Sequence, residues 1–296
     1  MREYPLFVRH GSDRIAAVLS VPESGPLRGL VLQLMGVGPD EIVGSMMFQR
    51  MARRLADRGL ASLRLDYAGT GDSTGTVSSW SLAELGAETE QARTALQTAR
   101  DAIEAQRFAV AGICYGGRIA LELIKDKDCV GALCMSPPVI EYGTWTKTRR
   151  KVRKWKLVSY VKSNQFLRTV LVRPLRRAVA ERKPTERAVQ ALGELDHARV
   201  LYLWSESEVS RDYSRDRAAK RLVRLTQSLP AEHRARHGVQ LTPTGPLSGF
   251  DLLSPGDQVF ILDLVVEWLD ECFNGEVVAP LEPETVARAL DAVAAD

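Results

Sequence analysis

Gly112-Ile113-Cys114-Tyr115-Gly116-Gly117 stands between an apolar run, Phe108–Ile113, and a helical pattern, Arg118–Lys125. This predicts a strand that turns at once into a helix, with one nucleophilic side chain at the turn and a glycine two positions to either side. So sharp a turn forces its central residue into a strained conformation, and the neighbours must lack Cβ atoms to avoid collision. Cys114 then projects from the turn above a helix N-terminus, whose dipole favours the thiolate. The hexapeptide alone leaves a second reading open, a buried structural cysteine, because free cysteine commonly serves as a small core residue.

Working outward, the same alternation recurs. Tyr4–Val8 and Arg14–Ser20 predict two short strands joined by a turn at Gly11-Ser12-Asp13, and Gly29–Leu34 predicts a buried strand. Met46–Arg58 carries apolar residues at helical spacing and stops at Gly59. Ala61–Leu65 is the next strand, Leu82–Ala105 a long amphipathic helix, and Cys129–Met135 a strand beyond the Cys114 helix. After a long interruption, Val200–Trp204 resumes the strand pattern. Tyr213–Thr226 predicts a helix, Val239–Thr242 a strand, and Pro255–Phe273 a helix with Ser254 as N-cap and Pro255 at its first position. Strands alternating with helices imply a mainly parallel sheet covered on both faces.

The 296 residues suffice for one large α/β domain, and 45% hydrophobic with 26% charged residues is an ordinary globular balance. The four cysteines lack metal-ligand spacing, and two lie in one apolar strand, which argues against a disulfide framework. No targeting segment or membrane span is evident, so the chain reads as cytoplasmic, with neither metal nor cofactor expected. The interruption differs in composition from the rest. From Lys147 to Arg187 fifteen Lys and Arg face only Glu181 and Glu186, a net +13; the whole chain totals +3, leaving −10 elsewhere. Such a segment is either a solvated basic face or a surface for an acidic partner. Interleaved Trp145, Trp155, Tyr160 and Phe166 give it an apolar underside. The expected organisation is a core of residues 1–140 and 196–274, a basic helical lid over 141–195, and a terminal linker and helix over 275–296.

With the strand–Cys114–helix turn placed, the chain resembles the α/β-hydrolase superfamily over roughly residues 10–140 and 196–274. Met35-Gly36-Val37-Gly38 follows the third strand, where that superfamily carries the loop donating one oxyanion-hole amide. Asp66-Tyr67-Ala68-Gly69-Thr70-Gly71-Asp72-Ser73 is similar to its Asp-x-Arg-Gly-x-Gly-x-Ser turn. Leu203-Trp204-Ser205-Glu206-Ser207-Glu208 stands where it carries the triad acid. The elbow cysteine is similar to that of dienelactone hydrolases, and Val43–Phe48 through Ser73 resembles exosortase-associated hydrolases. The resemblance implies Cys114 as nucleophile and Glu208 as acid, with Glu206 as fallback and Asp66 holding its turn. It also implies an oxyanion hole from the amides of Tyr115 and Val37 or Gly36, a substrate side formed by Met35, Gly36, Trp145 and Trp155, and a lid at the interruption.

One element of the pattern is absent from the sequence. The loop after the last strand, Pro243–Asp251, where the superfamily places its histidine, contains none; Asp251 or Ser248 occupies the vacated place. The four histidines are His10, His197, His233 and His237, the last two expected before the final strand. A serine without a base would be nearly inert, whereas a cysteine retains a few per cent of thiolate at neutral pH. Thiolate displacing thiolate needs no protonated leaving group. The expectation is therefore a Cys-dependent thioesterase or acyltransferase working through acyl-Cys114, analogous to the shuttling acyltransferases of assembly lines. Its substrate would be an acyl thioester on an acidic acyl carrier protein or coenzyme A. Nucleic acid is not expected, an anionic membrane surface is a weaker alternative, and a homodimer is left open. Two rivals stand beside it: a hydrolase scaffold turned to binding, and a non-covalent cyclase or isomerase using the same pocket.

Overall fold

The computed structural model describes residues 1–36, 41–76, 86–137, 195–207, 220, 223–224, 226–247 and 253–274. Its centre is a single sheet of eight strands: β1 (Arg2–His10), β2 (Asp13–Val21), β3 (Gly29–Leu34), β4 (Leu60–Leu65), β5 (Phe108–Ile113), β6 (Cys129–Met135), β7 (Arg199–Ser205) and β8 (His237–Thr242). They lie in the order β1-β2-β4-β3-β5-β6-β7-β8. Only β2 runs against the rest, since β1–β2 and β2–β4 pair antiparallel and every other pair is parallel. β5 and β6 match the expected bounds to the residue, because each is a buried run closed by a sharp backbone change. β1 is longer than expected and half-exposed; its pattern alternates, as an edge strand with one wet face should.

The described helices are α1 (Glu41–Ala56), α2 (Gly86–Ile103), α3 (Tyr115–Leu123), α4 (Ala231–Arg234) and α5 (Pro255–Cys272). α2 ends before the expected Ala105 because Glu104 turns to φ 53°, a conformation no helix continues; its expected first residues lie outside the described ones. The short α4 was not foreseen from the sequence. α5 begins as the sequence predicts: the Ser254 Oγ accepts the Asp257 N–H at 3.1 Å, and Pro255 sits in the first turn. The helix expected over Tyr213–Thr226 falls largely outside the described residues, as do the segment expected to form a lid and the C-terminal helix.

Two apolar layers sandwich the sheet. α2 and α3 bury Ala92, Ala95, Leu96, Ile119 and Leu123 against Leu30, Leu32, Leu34 and Val110 on one face. α1 and α5 bury Met47, Phe48, Met51, Ile261 and Val265 against Val31, Ala109, Leu133 and Leu203 on the other. The α1–α5 seam is closed by charge: Arg50 donates to Gln258, Arg54 to Asp263, and both Arg28 and Arg58 to Asp270. Asp270, with 18% of its side chain exposed, is the only carboxylate in this group that serves two guanidinium groups. Asp270→Ala should cost about 1–2 kcal/mol in urea unfolding, as expected for losing a charge-assisted pair at a part-buried site. A change within 0.3 kcal/mol would mean that the Asp270 pairs add nothing to the seam.

Candidate active site

Because β3 to β8 run in parallel, their carboxyl ends bring the third-strand loop, Cys114 and the ends of β6, β7 and β8 to one edge of the sheet, the place where open α/β sheets build their sites. Cys114 caps α3 with φ 52° and ψ −113°, so the strain predicted from the hexapeptide is present. Its amide donates to the Met135 carbonyl at 2.8 Å, which fixes the turn to the end of β6. The glycines are obligatory for packing. A Cβ on Gly112 would overlap the Gly116 carbonyl, and one on Gly116 would overlap the Leu34 carbonyl and lie 2.7 Å from that of Met35. The third-strand loop is thus pressed onto the elbow: a Cβ on Gly36 would lie only 3.3 Å from the Cys114 Cβ. Tyr115 opens α3, which sets its N–H in the first turn of that helix, next to Cys114.

None of the four cysteines is disulfide-bonded, and Cys114 alone is exposed. Burial pushes the thiols of Cys129 and Cys134 far above the ordinary range, and that of Cys272 up to about 12. Iodoacetamide at pH 8 should therefore alkylate the folded protein once, at Cys114, and four times in denaturant. Peptide mapping checks this; label on Cys129 or Cys134 without denaturant would contradict the buried placement.

All four histidines are placed. His10 ends β1 with Nδ1 3.2 Å from the Thr94 Oγ1, four strand positions from β5 and so about 19 Å across the sheet. His197 has Nε2 at 3.1 Å from the carbonyls of Ile124 and Asp126, which lead into the amino end of β6. His233 belongs to α4, ahead of β8. His237 is itself the first residue of β8, where the sequence placed it before the strand, and pairs with Val200 at the amino end of β7. At the carboxyl ends of β7 and β8 the sheet carries hydroxyls instead. Buried Ser205 lies 3.1 Å from the Ser207 Oγ; buried Thr242 donates to the Trp204 carbonyl at 3.2 Å and meets the Thr244 Oγ1 at 3.0 Å. Glu206 is exposed just past β7. Glu208, Val37, Trp145, Trp155, Ser248 and Asp251 lie outside the described residues.

The sequence reading of Asp66 as a turn residue fits its contacts: its Oδ2 accepts the Asp72 N–H at 3.0 Å and its carbonyl accepts the Ser73 hydroxyl at 2.8 Å. Two residues behind the site, Tyr67 and Glu88, were not expected. Both are buried, as is Tyr115, whose hydroxyl lies 3.4 Å from the Glu88 Oε2. Tyr67 lay inside a quoted motif; Glu88 gave no signal beyond one acidic residue near a helix start. Among the described residues no group of three or more metal-ligating side chains is found, and no helix is long and apolar enough to cross a membrane.

The sheet order, the strained turn after β5 and the helices on both faces define an α/β-hydrolase. Residues 41–222, more than half of the chain, match the family described as serine aminopeptidase, S33 (Hydrolase_4). The chain belongs to that hydrolase family, with a cysteine at the elbow of a fold its family name associates with serine. Similar solved structures include an esterase from Pyrococcus furiosus (12% identity, 91% of each chain, TM-score 0.60). A soluble variant of monoglyceride lipase from Saccharomyces cerevisiae is also similar (15%, 90% of this chain and 94% of that one, 0.57). So is proline iminopeptidase from Mycobacterium smegmatis (13%, 91% and 99%, 0.55). At these identities the likeness is one of fold. Comparison with curated proteins returned no significant match.

Proposed function

We propose that the protein is a Cys-dependent enzyme that takes an acyl group from a thioester onto Cys114 and passes it to an acceptor, as a thioesterase or acyltransferase. The observation that carries this reading is an exposed cysteine in the strained elbow conformation while all four histidines stand elsewhere. The Cys114 thiolate attacks the thioester carbonyl. The resulting oxyanion is held by the Tyr115 N–H and an N–H of the third-strand loop, from Gly36 or Val37, each such donor worth about 3 kcal/mol. Attack forms the bond from the Cys114 sulfur to the acyl carbon; collapse restores the carbonyl, breaks the bond to the carrier sulfur and expels it as a thiolate, so no proton need move in the acylation step. Water is a poor second nucleophile without a base, which favours transfer to a thiol or amine over hydrolysis. Glu208, or Glu206 in its place, is the acid in this scheme.

The similar structures named an esterase, a monoglyceride lipase and an iminopeptidase all act at acyl carbon by name, which supports an acyl substrate here. Fold likeness supports the class of step and leaves the acyl chain open. The basic segment from Lys147 to Arg187, which contains Trp155 and is preceded by Trp145, would act as a lid that attracts an acidic acyl carrier protein or coenzyme A. Four cysteines outside any disulfide fit a reducing compartment such as the cytoplasm. The hydroxyl-bearing ends of β7 and β8 favour one alternative, a scaffold that has given up catalysis for binding. Incubation with acyl-CoA and acyl-carrier thioesters separates the two: a covalent adduct on Cys114 supports the enzyme, and tight binding with no adduct supports the scaffold.

A further inference from the structure

Beneath the elbow, three buried side chains connect the two halves of the oxyanion pocket. The Tyr67 hydroxyl donates to the Met35 carbonyl at 3.4 Å, and its ring meets that of Tyr115 edge to face, centroids 6.5 Å apart and planes at 89°. The Tyr115 hydroxyl in turn reaches the Glu88 carboxylate. Tyr67 and Tyr115 are each 4% exposed, so both rings are buried.

The Met35 carbonyl and the Gly36 N–H belong to one planar peptide and point in opposite directions. A group that holds the carbonyl therefore aims the N–H. The carbonyl lies on the α3 side, since a Cβ on Gly116 would come within 2.7 Å of it, while Gly36 itself abuts Cys114. We propose that Tyr67 is a positioning residue of the oxyanion pocket: by holding the Met35 carbonyl and bracing the Tyr115 ring, it fixes the directions of the Gly36 and Tyr115 amides together. This rests on the reading of Cys114 as the acylated nucleophile. The physical need is clear, because donors stabilise a developing oxyanion only when they are fixed before charge appears. Tyr67 sits in the turn after β4, whose Asp66 contacts make it rigid, so the brace runs from one strand end to two others.

Tyr67→Phe removes the hydroxyl and keeps the ring. Two reactions of Cys114 separate positioning from mere structure. Acylation by a thioester builds an oxyanion; alkylation by iodoacetamide, a displacement at saturated carbon, builds none. The variant should alkylate at the parent rate and acylate about three- to tenfold more slowly, the scale of one lost hydrogen bond. Hydrogen exchange of the peptide covering Leu34–Gly36 should quicken. Equal acylation with unchanged exchange would overturn the proposal, and so would acylation and alkylation falling together, which marks a general disturbance of the elbow. If the parent itself takes no acyl group from any thioester, the functional reading fails and exchange decides the brace alone: faster exchange in Tyr67→Phe retains it, unchanged exchange refutes it.

Discussion

Cys114→Ser should abolish acyl-enzyme formation while leaving the fold intact. The substitution exchanges one second-row atom for a first-row one at a position whose backbone is held by the surrounding glycines and by the Met135 carbonyl. Unfolding should shift by no more than about 0.5 kcal/mol, as for an exposed position. Its chemical effect is far larger. A serine hydroxyl yields almost no alkoxide at neutral pH, and the base that usually compensates contributes on the order of a hundred- to ten-thousandfold. With His10, His197, His233 and His237 placed at other parts of the sheet, the serine variant has no such help. Acylation should fall by about a thousandfold or more. A serine variant that acylates within tenfold of the parent would reveal a working base near residue 114 and end the argument from the histidines.

Gly112→Ala and Gly116→Ala should each destabilise the protein by about 3 kcal/mol or more, the range of severe overpacking where the obstructing atoms are backbone. The added methyl on residue 112 meets the Gly116 carbonyl and lies 2.5 Å from the Gly117 nitrogen; on residue 116 it meets the carbonyls of Leu34 and Met35. No rotamer change relieves either collision, so α3 must move from β5 or the third-strand loop must move from the elbow. Both outcomes degrade Cys114 presentation as well as stability. Urea unfolding followed beside iodoacetamide labelling measures the two effects. Alanine at either position with unchanged stability and labelling would show that the elbow is looser than its contacts require.

The parts of the fold read from the sequence were those in which local pattern and tertiary demand coincide. Phe108–Ile113 and Cys129–Met135 are continuous apolar runs because both faces of the central strands are covered, and their ends are marked by Cys114 and Ser136, both at positive φ. Ser254-Pro255 announced α5 because capping chemistry is local. The Gly112-x-Cys114-x-Gly116 spacing gave the elbow for the same reason. What escaped the sequence depends on side chains meeting across strands. Nothing within Asp66–Ser73 says that Tyr67 reaches back to Met35, and nothing around Glu88 says that it faces Tyr115. The paired hydroxyls of Ser205 with Ser207 and of Thr242 with Thr244 become visible only when the register sets Ser205 beside Thr242.

The central claim is that Cys114 accepts an acyl group from a thioester. Intact-protein mass after brief incubation with a panel of acyl-CoA and acyl-carrier thioesters tests it most directly, with Cys114→Ala alongside. The account predicts one acyl mass on the parent and none on the variant, discharged faster by a thiol or amine than by water. A parent that remains unmodified by every thioester, or an adduct that forms equally on Cys114→Ala, would contradict it.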